Sequence, residues 1–289
     1  MIDLHLHSTA SDGALAPPAL VRRVHDAGVQ TMSLTDHDTM QGVPAAAAAA
    51  AELGLEFIPG VEITSVLDRR DCHILGYFLA AQPPGLARFF DSQRTGRLDR
   101  ARTISARLAK LGAPIDIEAV IEEARSVRAV VTRPLIARAV VAAGHAQNVK
   151  EVFDRWLGDG RPACVTREGP SPTDVVRRIA GAGGVASLAH PGLLRRDDLI
   201  PRLARAGLGA IEAHHADHGR ADRERYAALA QRLGLAVSGG SDYHGDQHRR
   251  AKQLGTVGPN PAELALLRRR LHETASAAGL LPRADIIHA

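Results

Sequence analysis

The sequence predicts a parallel α/β barrel of seven strands, interrupted by a helical insert that caps its mouth. Three observations point there. Short aliphatic runs alternate with helical patterns along most of the chain. Polar side chains able to do chemistry stand at the ends of those runs, as they do on the mouth of a barrel. Between about Leu86 and Gly160 the alternation stops and only helical patterns remain.

The first run is Met1-Ile2-Asp3-Leu4-His5-Leu6-His7. On an extended strand, a period of two sends Asp3, His5 and His7 to one face and Ile2, Leu4 and Leu6 to the other. Two imidazoles side by side on a buried face each need a hydrogen-bond partner or a metal. The remaining strands are expected at Gln30–Asp36, Leu55–Glu62, Cys72–Leu79, Gly184–His190, Leu208–His214 and Leu235–Asp242. Helices are expected between them at Pro17–Ala27, Val43–Leu53, Thr173–Ala182, Arg196–Ala206 and Arg220–Leu233. Pro-Pro at 83–84 and Gly-Arg-Pro at 160–162 bracket the helical block, read as Leu86–Leu111, Ile117–Ala124, Arg133–Ala143 and Val149–Leu157. The expected organisation is therefore a barrel from 1–85 and 161–289 with a substrate-binding insert at 86–160. A closing helix, Pro261–Ala278, would lay Leu264, Leu267 and Leu271 on the barrel exterior.

Composition narrows the function. Hydrophobic residues make up 45% and aromatics only 3%, so the core must be aliphatic and extended base-stacking platforms are not expected. Only Lys110, Lys150 and Lys252 among the 36 basic residues are lysines. That arginine preference suits bidentate phosphate contacts, although a GC-rich coding bias gives the same pattern. Stable DNA binding is not expected. Cys72 and Cys164 are the only cysteines, which excludes a disulfide framework or a Cys-rich zinc module and fits a cytoplasmic setting. No signal peptide is read, and the alanine-rich run Val43–Ala51 is too short and too weakly apolar for a membrane span.

Ten residues are candidates for a metal centre: His5, His7, Asp12, Asp36, His37, Glu62, His73, His190, Asp242 and His244. Imidazole and carboxylate without thiolate suit Mn²⁺, Fe²⁺ or Zn²⁺. The set exceeds what one ion takes, so two or three divalent ions are expected, Mn²⁺ first, with Glu62 able to bridge two. Asp36 and Asp3 can instead orient neighbouring imidazoles as outer partners. Asp12 sits in Ser11-Asp12-Gly13, which also reads as an ordinary turn. His25, His145, His272 and His288 carry no such signal. Of His214, His215 and His218, one can line the mouth after Ala210-Ile211-Glu212, and none is assigned to a metal.

A centre of several ions lowers the pKa of a water, orients phosphorus and neutralises charge on its oxygens, which favours phosphate-ester over amide hydrolysis. A metal-bound hydroxide is the expected nucleophile, with His190, His244 and Asp242 nearby. Arg100, Arg102 and Arg133 are candidate phosphate contacts. Arg133 lies between Thr132 and Pro134 at an expected helix start, where free N–H groups add to its pull on an anion.

At Asp3-Leu4-His5-Leu6-His7, Thr35-Asp36-His37, Glu62, His73, His190-Pro191 and Asp242-Tyr243-His244 the chain resembles the polymerase and histidinol phosphatase (PHP) domain family of metal-dependent phosphoesterases. The resemblance covers Ile2 to about Tyr77 and Gly184 to Gly258. It implies a distorted seven-stranded (β/α) barrel and a trinuclear centre. His5, His7, Glu62 and Asp242 would hold one ion, Glu62, His73 and His190 a second, and Asp12, His37 and His244 a third. Ser8-Thr9-Ala10-Ser11-Asp12-Gly13 and Val131-Thr132-Arg133-Pro134 look like the family's bacterial stand-alone branch. That likeness implies release of the 3′-phosphate from nucleoside 3′,5′-bisphosphates such as adenosine 3′,5′-bisphosphate, with short RNA trimmed from its 5′ end by the same hydrolysis. Histidinol-phosphate hydrolysis, amide or ring hydrolysis, and a catalytically silent accessory module are the rival expectations.

Overall fold

The computed structural model describes residues 1–80, 82, 83, 85–126, 130–166 and 168–277; Pro84, Ala278 and His288 lie outside the described residues. Seven strands stand side by side in chain order: β1 (Ile2–Asp3), β2 (Thr31–Leu34), β3 (Glu56–Leu67), β4 (Arg70–Tyr77), β5 (Val185–Leu188), β6 (Ala210–His215) and β7 (Ala236–Gly240). The ring closes where the chain after β1 meets the chain after β7. Leu4 N–H donates to Gly239 O, Asp242 N–H to His5 O and His7 N–H to Tyr243 O.

That closure needs Gly240. A Cβ there would lie 2.3 Å from His5 N and 2.5 Å from His5 Cβ, and backbone cannot swing aside as a side-chain tip can. Gly240→Ala is expected to cost about 2–3 kcal/mol as overpacking, read by denaturant unfolding. A variant as stable as the parent would show that β1 and β7 separate easily.

Helices α1 (Pro17–Asp26), α2 (Val43–Glu52), α7 (Pro172–Gly181), α9 (Ile200–Arg205) and α10 (Arg220–Arg232) follow the expected pattern within a few residues. The first half of the expected 196–206 helix is a single 3₁₀ turn, Asp197–Leu199. A short α8 (Pro191–Leu194) adds a turn directly after His190. The closing helix α11 (Pro261–Ala277) buries Leu264, Leu267 and Leu271 against Leu4, Val185 and Ala210.

One expectation fails. The barrel is not wholly parallel, because β4 runs antiparallel to both β3 and β5. β3 continues past Glu62 into a tight hairpin whose central residues, Asp68 and Arg69, have φ of 48° and 66°. Positive φ at both positions is what a two-residue turn needs to match strand twist. The reversal matters for the site. His73 stands near the start of β4, yet pairing with Thr64 puts it at the same end of the barrel as Glu62.

The insert comprises α3 (Leu86–Lys110), α4 (Ile117–Ser126), α5 (Arg133–Ala142) and α6 (Val149–Val152), the last continuing as a π turn over Phe153–Leu157. Its helices pack Ile104, Leu108, Ile121, Ile136, Val140 and Trp156 into a core separate from that of the barrel. Among the described residues no helix is long and apolar enough to cross a membrane.

Candidate metal centre

Glu62 is the hub of the barrel mouth. It is fully buried on β3, and His37, three residues past the end of β2, bridges to it in parallel register. Its Oε2 lies 3.2 Å from His5 Nε2, His7 Nε2 and His37 Nδ1, while Oε1 lies 2.8 Å from His73 Nδ1 and 3.2 Å from His190 Nε2. Asp242 completes one side, its Oδ1 3.3 Å from His7 Nε2, 3.6 Å from His5 Nε2 and 3.4 Å from His244 Nδ1. Asp12 completes the other. Its Oδ1 is 3.3 Å from His244 Nε2 and 3.7 Å from His7 Nδ1, and its Oδ2 is 3.8 Å from His37 Nε2.

These atoms fit divalent ions better than they fit one another. Both ring nitrogens of His7, with Nδ1 of His37 and Nδ1 of His73, are buried without a hydrogen-bond partner. Buried polar atoms are rarely left so. Ligands on bonds of about 2.1 Å stand roughly 3.0–3.4 Å apart around tetrahedral or octahedral ions, the spacing that prevails around Glu62. The charges agree. Burial pushes the Glu62 carboxyl up, but His37, His73 and His5 outweigh it and hold it well below the usual range. Burial opposes protonation of His7, yet Asp242 and Glu62 raise it to about 10, whereas burial drives His37 down to about 4. Rings this close cannot all carry protons, and a cation shared among them removes the conflict.

A model of the PHP domain matches residues 3–157. The chain belongs to the PHP domain family. A 3′,5′-nucleoside bisphosphate phosphatase of Chromobacterium violaceum is 37% identical over 84% of this chain and 87% of its own. A 5′-3′ exoribonuclease of Haemophilus influenzae is 36% identical over 84% of this chain and 89% of its own. A solved structure from Bifidobacterium adolescentis superposes with a TM-score of 0.83 at 30% identity, over 93% of this chain and 96% of that one.

Around this PHP centre lies a second layer that period-two reasoning only partly reaches. Glu212 on β6 is fully buried and has two tasks. Its Oε1 accepts from His5 Nδ1 at 2.8 Å, which turns the Nε2 lone pair of His5 towards Glu62. Its Oε2 accepts the His190 backbone N–H at 2.7 Å and steadies a residue held at φ 29° in front of proline. His215 Nδ1 accepts from Asp217 N–H, so the neutral ring carries its proton on Nε2, 3.2 Å from Asp242 Oδ2. His5, Glu212 and His215 cluster closely enough to suggest a further ion. Their hydrogen bonds instead make them a frame for the ligands. His218 bridges Ala213 O and Gly192 N–H, and His214 pairs with Glu263 on α11.

Asp3 and Asp36 do not orient imidazoles as expected. Asp3 Oδ1 accepts the backbone N–H groups of His5 and Ser241, tying the barrel seam, and burial raises its carboxyl to about 7. Asp36 gathers Ser8 N–H, Ser8 Oγ and Ser11 Oγ, and so shapes the loop that presents Asp12.

The arginines are spread over the insert. Arg100 Nε donates to Val165 O at 2.8 Å. Arg102 pairs with Glu118 on an exposed flank, so its charge is already engaged there. Arg133 pairs with exposed Asp159 at 2.9 Å and comes within 4.0 Å of Asp71, two residues before His73. Arg97 and Arg250, not singled out in the sequence, come closer to the cluster. Arg97 pairs with Asp38 beside His37, and Arg250 bridges Asp242 to Asp217.

Glu212→Gln is expected to lower metal affinity or activity by about 10- to 100-fold while leaving secondary structure intact, since an amide no longer anchors His5 as a carboxylate does. Metal titration of the purified variant checks this. Unchanged affinity would make Glu212 a purely structural residue.

Proposed function

We propose that this PHP protein is a metal-dependent phosphoesterase that removes the 3′-phosphate of nucleoside 3′,5′-bisphosphates, leaving nucleoside 5′-monophosphates. Short 5′-phosphorylated RNA is opened by the same hydrolysis. The observation that carries the reading is Glu62, a buried carboxylate shared among five imidazoles, several with nitrogens that lack a hydrogen-bond partner. Relatives of similar identity named for a nucleotide phosphatase and an exoribonuclease support one P–O3′ hydrolysis, in which the phosphorus carries either no further group or the rest of the RNA.

In this reading His5, His7, Glu62 and Asp242 hold one ion, Glu62, His73 and His190 another, and Asp12, His37 and His244 a third. Mn²⁺ is the first candidate, followed by Fe²⁺ and Zn²⁺. Bound ions supply Lewis acidity, acidifying a water and neutralising charge on the phosphate oxygens.

The chain's own groups do the rest. His37, His73, His190 and His244 have side chains 14–21% exposed, whereas His5 and His7 are fully buried, so the first four rings form the face of the cluster that meets the substrate. His215 and Arg250 hold Asp242 from behind. Arg133 at the start of α5, with Arg100 on α3, grips the remaining 5′-phosphate from the insert, in the manner suited to a guanidinium. The insert at 86–160 is then the substrate-binding subdomain.

Phosphate release with added Mn²⁺ tests the reading across nucleoside 2′-, 3′- and 5′-phosphates, 3′,5′-bisphosphates, short 5′-phosphorylated RNA and histidinol phosphate. Preference for bisphosphates is expected. Turnover of histidinol phosphate alone, or inertness of the metal-loaded protein towards every ester, would overturn it. Arg133→Ala is expected to erode the bisphosphate preference over 3′-monophosphates by about tenfold with metal content unchanged, the scale of a charged hydrogen bond.

A further inference from the structure

Between the barrel and the insert lies a cavity of about 480 Å³ that none of the nine proposed metal ligands lines. Its floor is the loop after β2, with Asp38 and Gln41. Asp38 directly follows His37, donates its N–H to Glu62 O and accepts Thr64 N–H, so the cavity adjoins the backbone that carries the cluster. Its walls combine two chemistries. Arg94 and Arg97 from α3 and Arg125 from α4 supply charge, while Leu98, Ile121 and Val131 supply an apolar surface. Among the described residues Arg94 and Arg125 pair with exposed Asp91 and Glu122 one helical turn away. Such pairs contribute little and yield readily to a better anion.

Guanidinium groups beside an aliphatic wall match a nucleotide, with phosphate on the arginines and the base against the wall. We propose that this cavity is a second-nucleotide subsite, which takes the residue 3′ to the scissile phosphodiester of short 5′-phosphorylated RNA. The inference rests on the phosphoesterase reading above. The chemistry balances without a further reactant. Water oxygen bonds to phosphorus as the P–O3′ bond breaks, one water proton goes to the departing 3′-oxygen, and the shortened RNA keeps a 5′-phosphate. In a bisphosphate the same phosphorus carries no second nucleoside, so the cavity stays out of that reaction.

The test uses the full chain loaded with Mn²⁺ and three substrates: adenosine 3′,5′-bisphosphate, the 5′-phosphorylated adenosine dinucleotide and the 5′-phosphorylated pentamer. In the double variant Arg94→Glu/Arg125→Glu, both sites exposed, the ratio of kcat/KM for pentamer to that for bisphosphate is expected to fall by about tenfold or more. Val130→Trp, which fills the cavity from its wall, is expected to shift the ratio the same way without changing charge. Equal losses on RNA and bisphosphate would place the cavity in first-nucleotide binding and overturn the proposal, as would an unchanged ratio. Parent protein that hydrolyses the bisphosphate but neither RNA would remove this subsite alone. Parent protein inert to all three would remove the phosphoesterase reading with it.

Discussion

Glu62→Gln is expected to abolish phosphate release, by about 10³-fold or more, and to leave the purified protein short of metal. The carboxylate faces five imidazole nitrogens at 2.8 to 3.2 Å, with no second acid in contact with that whole set. An amide of the same shape loses the negative charge and half the acceptor capacity, and its NH₂ group can ligate nothing. The main chain should survive, because β3 is held by its ladders to β2 and β4 rather than by this side chain. Elemental analysis beside circular dichroism separates the outcomes. A variant with full metal content and full turnover would remove Glu62 from the centre.

Removing the metal from the native protein is expected to lower the thermal midpoint by about 10 °C or more. One ion present at a thousand times its dissociation constant contributes about 4 kcal/mol, and a domain this large moves a few degrees per kcal/mol. The proton balance sets the pH dependence. Without metal, His7 is raised from 6.5 to about 10 by Asp242 and Glu62 against the opposing effect of burial. Its imidazolium therefore stabilises the metal-free fold fully below pH 6.5, and that contribution is lost as pH rises through about 10. Metal needs the neutral ring, so binding near pH 7 should release about one proton or more, with affinity rising as pH rises. Calorimetric titration in buffers of different ionisation enthalpy reads the release directly. Proton-neutral binding would mean that His7 is not a ligand.

The mouth was legible in the sequence because it is built from strand ends. His5 and His7 alternate with leucines that are fully buried, and each later run delivers its polar residue to the same rim. The antiparallel β4 was not legible. Cys72–Leu79 has the same aliphatic character as a parallel strand, and its reversal depends on Asp68-Arg69, a positive-φ pair without the glycine or asparagine that usually marks such a turn. Arg97 and Arg250 escaped for a different reason. An arginine on a helix or loop looks alike whether it meets solvent or a carboxylate brought in from another part of the chain.

The sequence by itself determined the barrel class, the helical block and a rim of candidate metal ligands, because those depend on local periodicity and residue chemistry. Only the tertiary structure decided what supports the ligands. On β6 a strict period of two would place Glu212 and His214 on one face, but the register slips between them against β7. Such a bulge re-aims the next side chain. His215 thus reaches Asp242 inside the barrel, while His214 pairs with Glu263 on the outer helix. A one-residue shift in strand pairing has no sequence mark here, and it selects which histidine stands behind Asp242 and the candidate ligands.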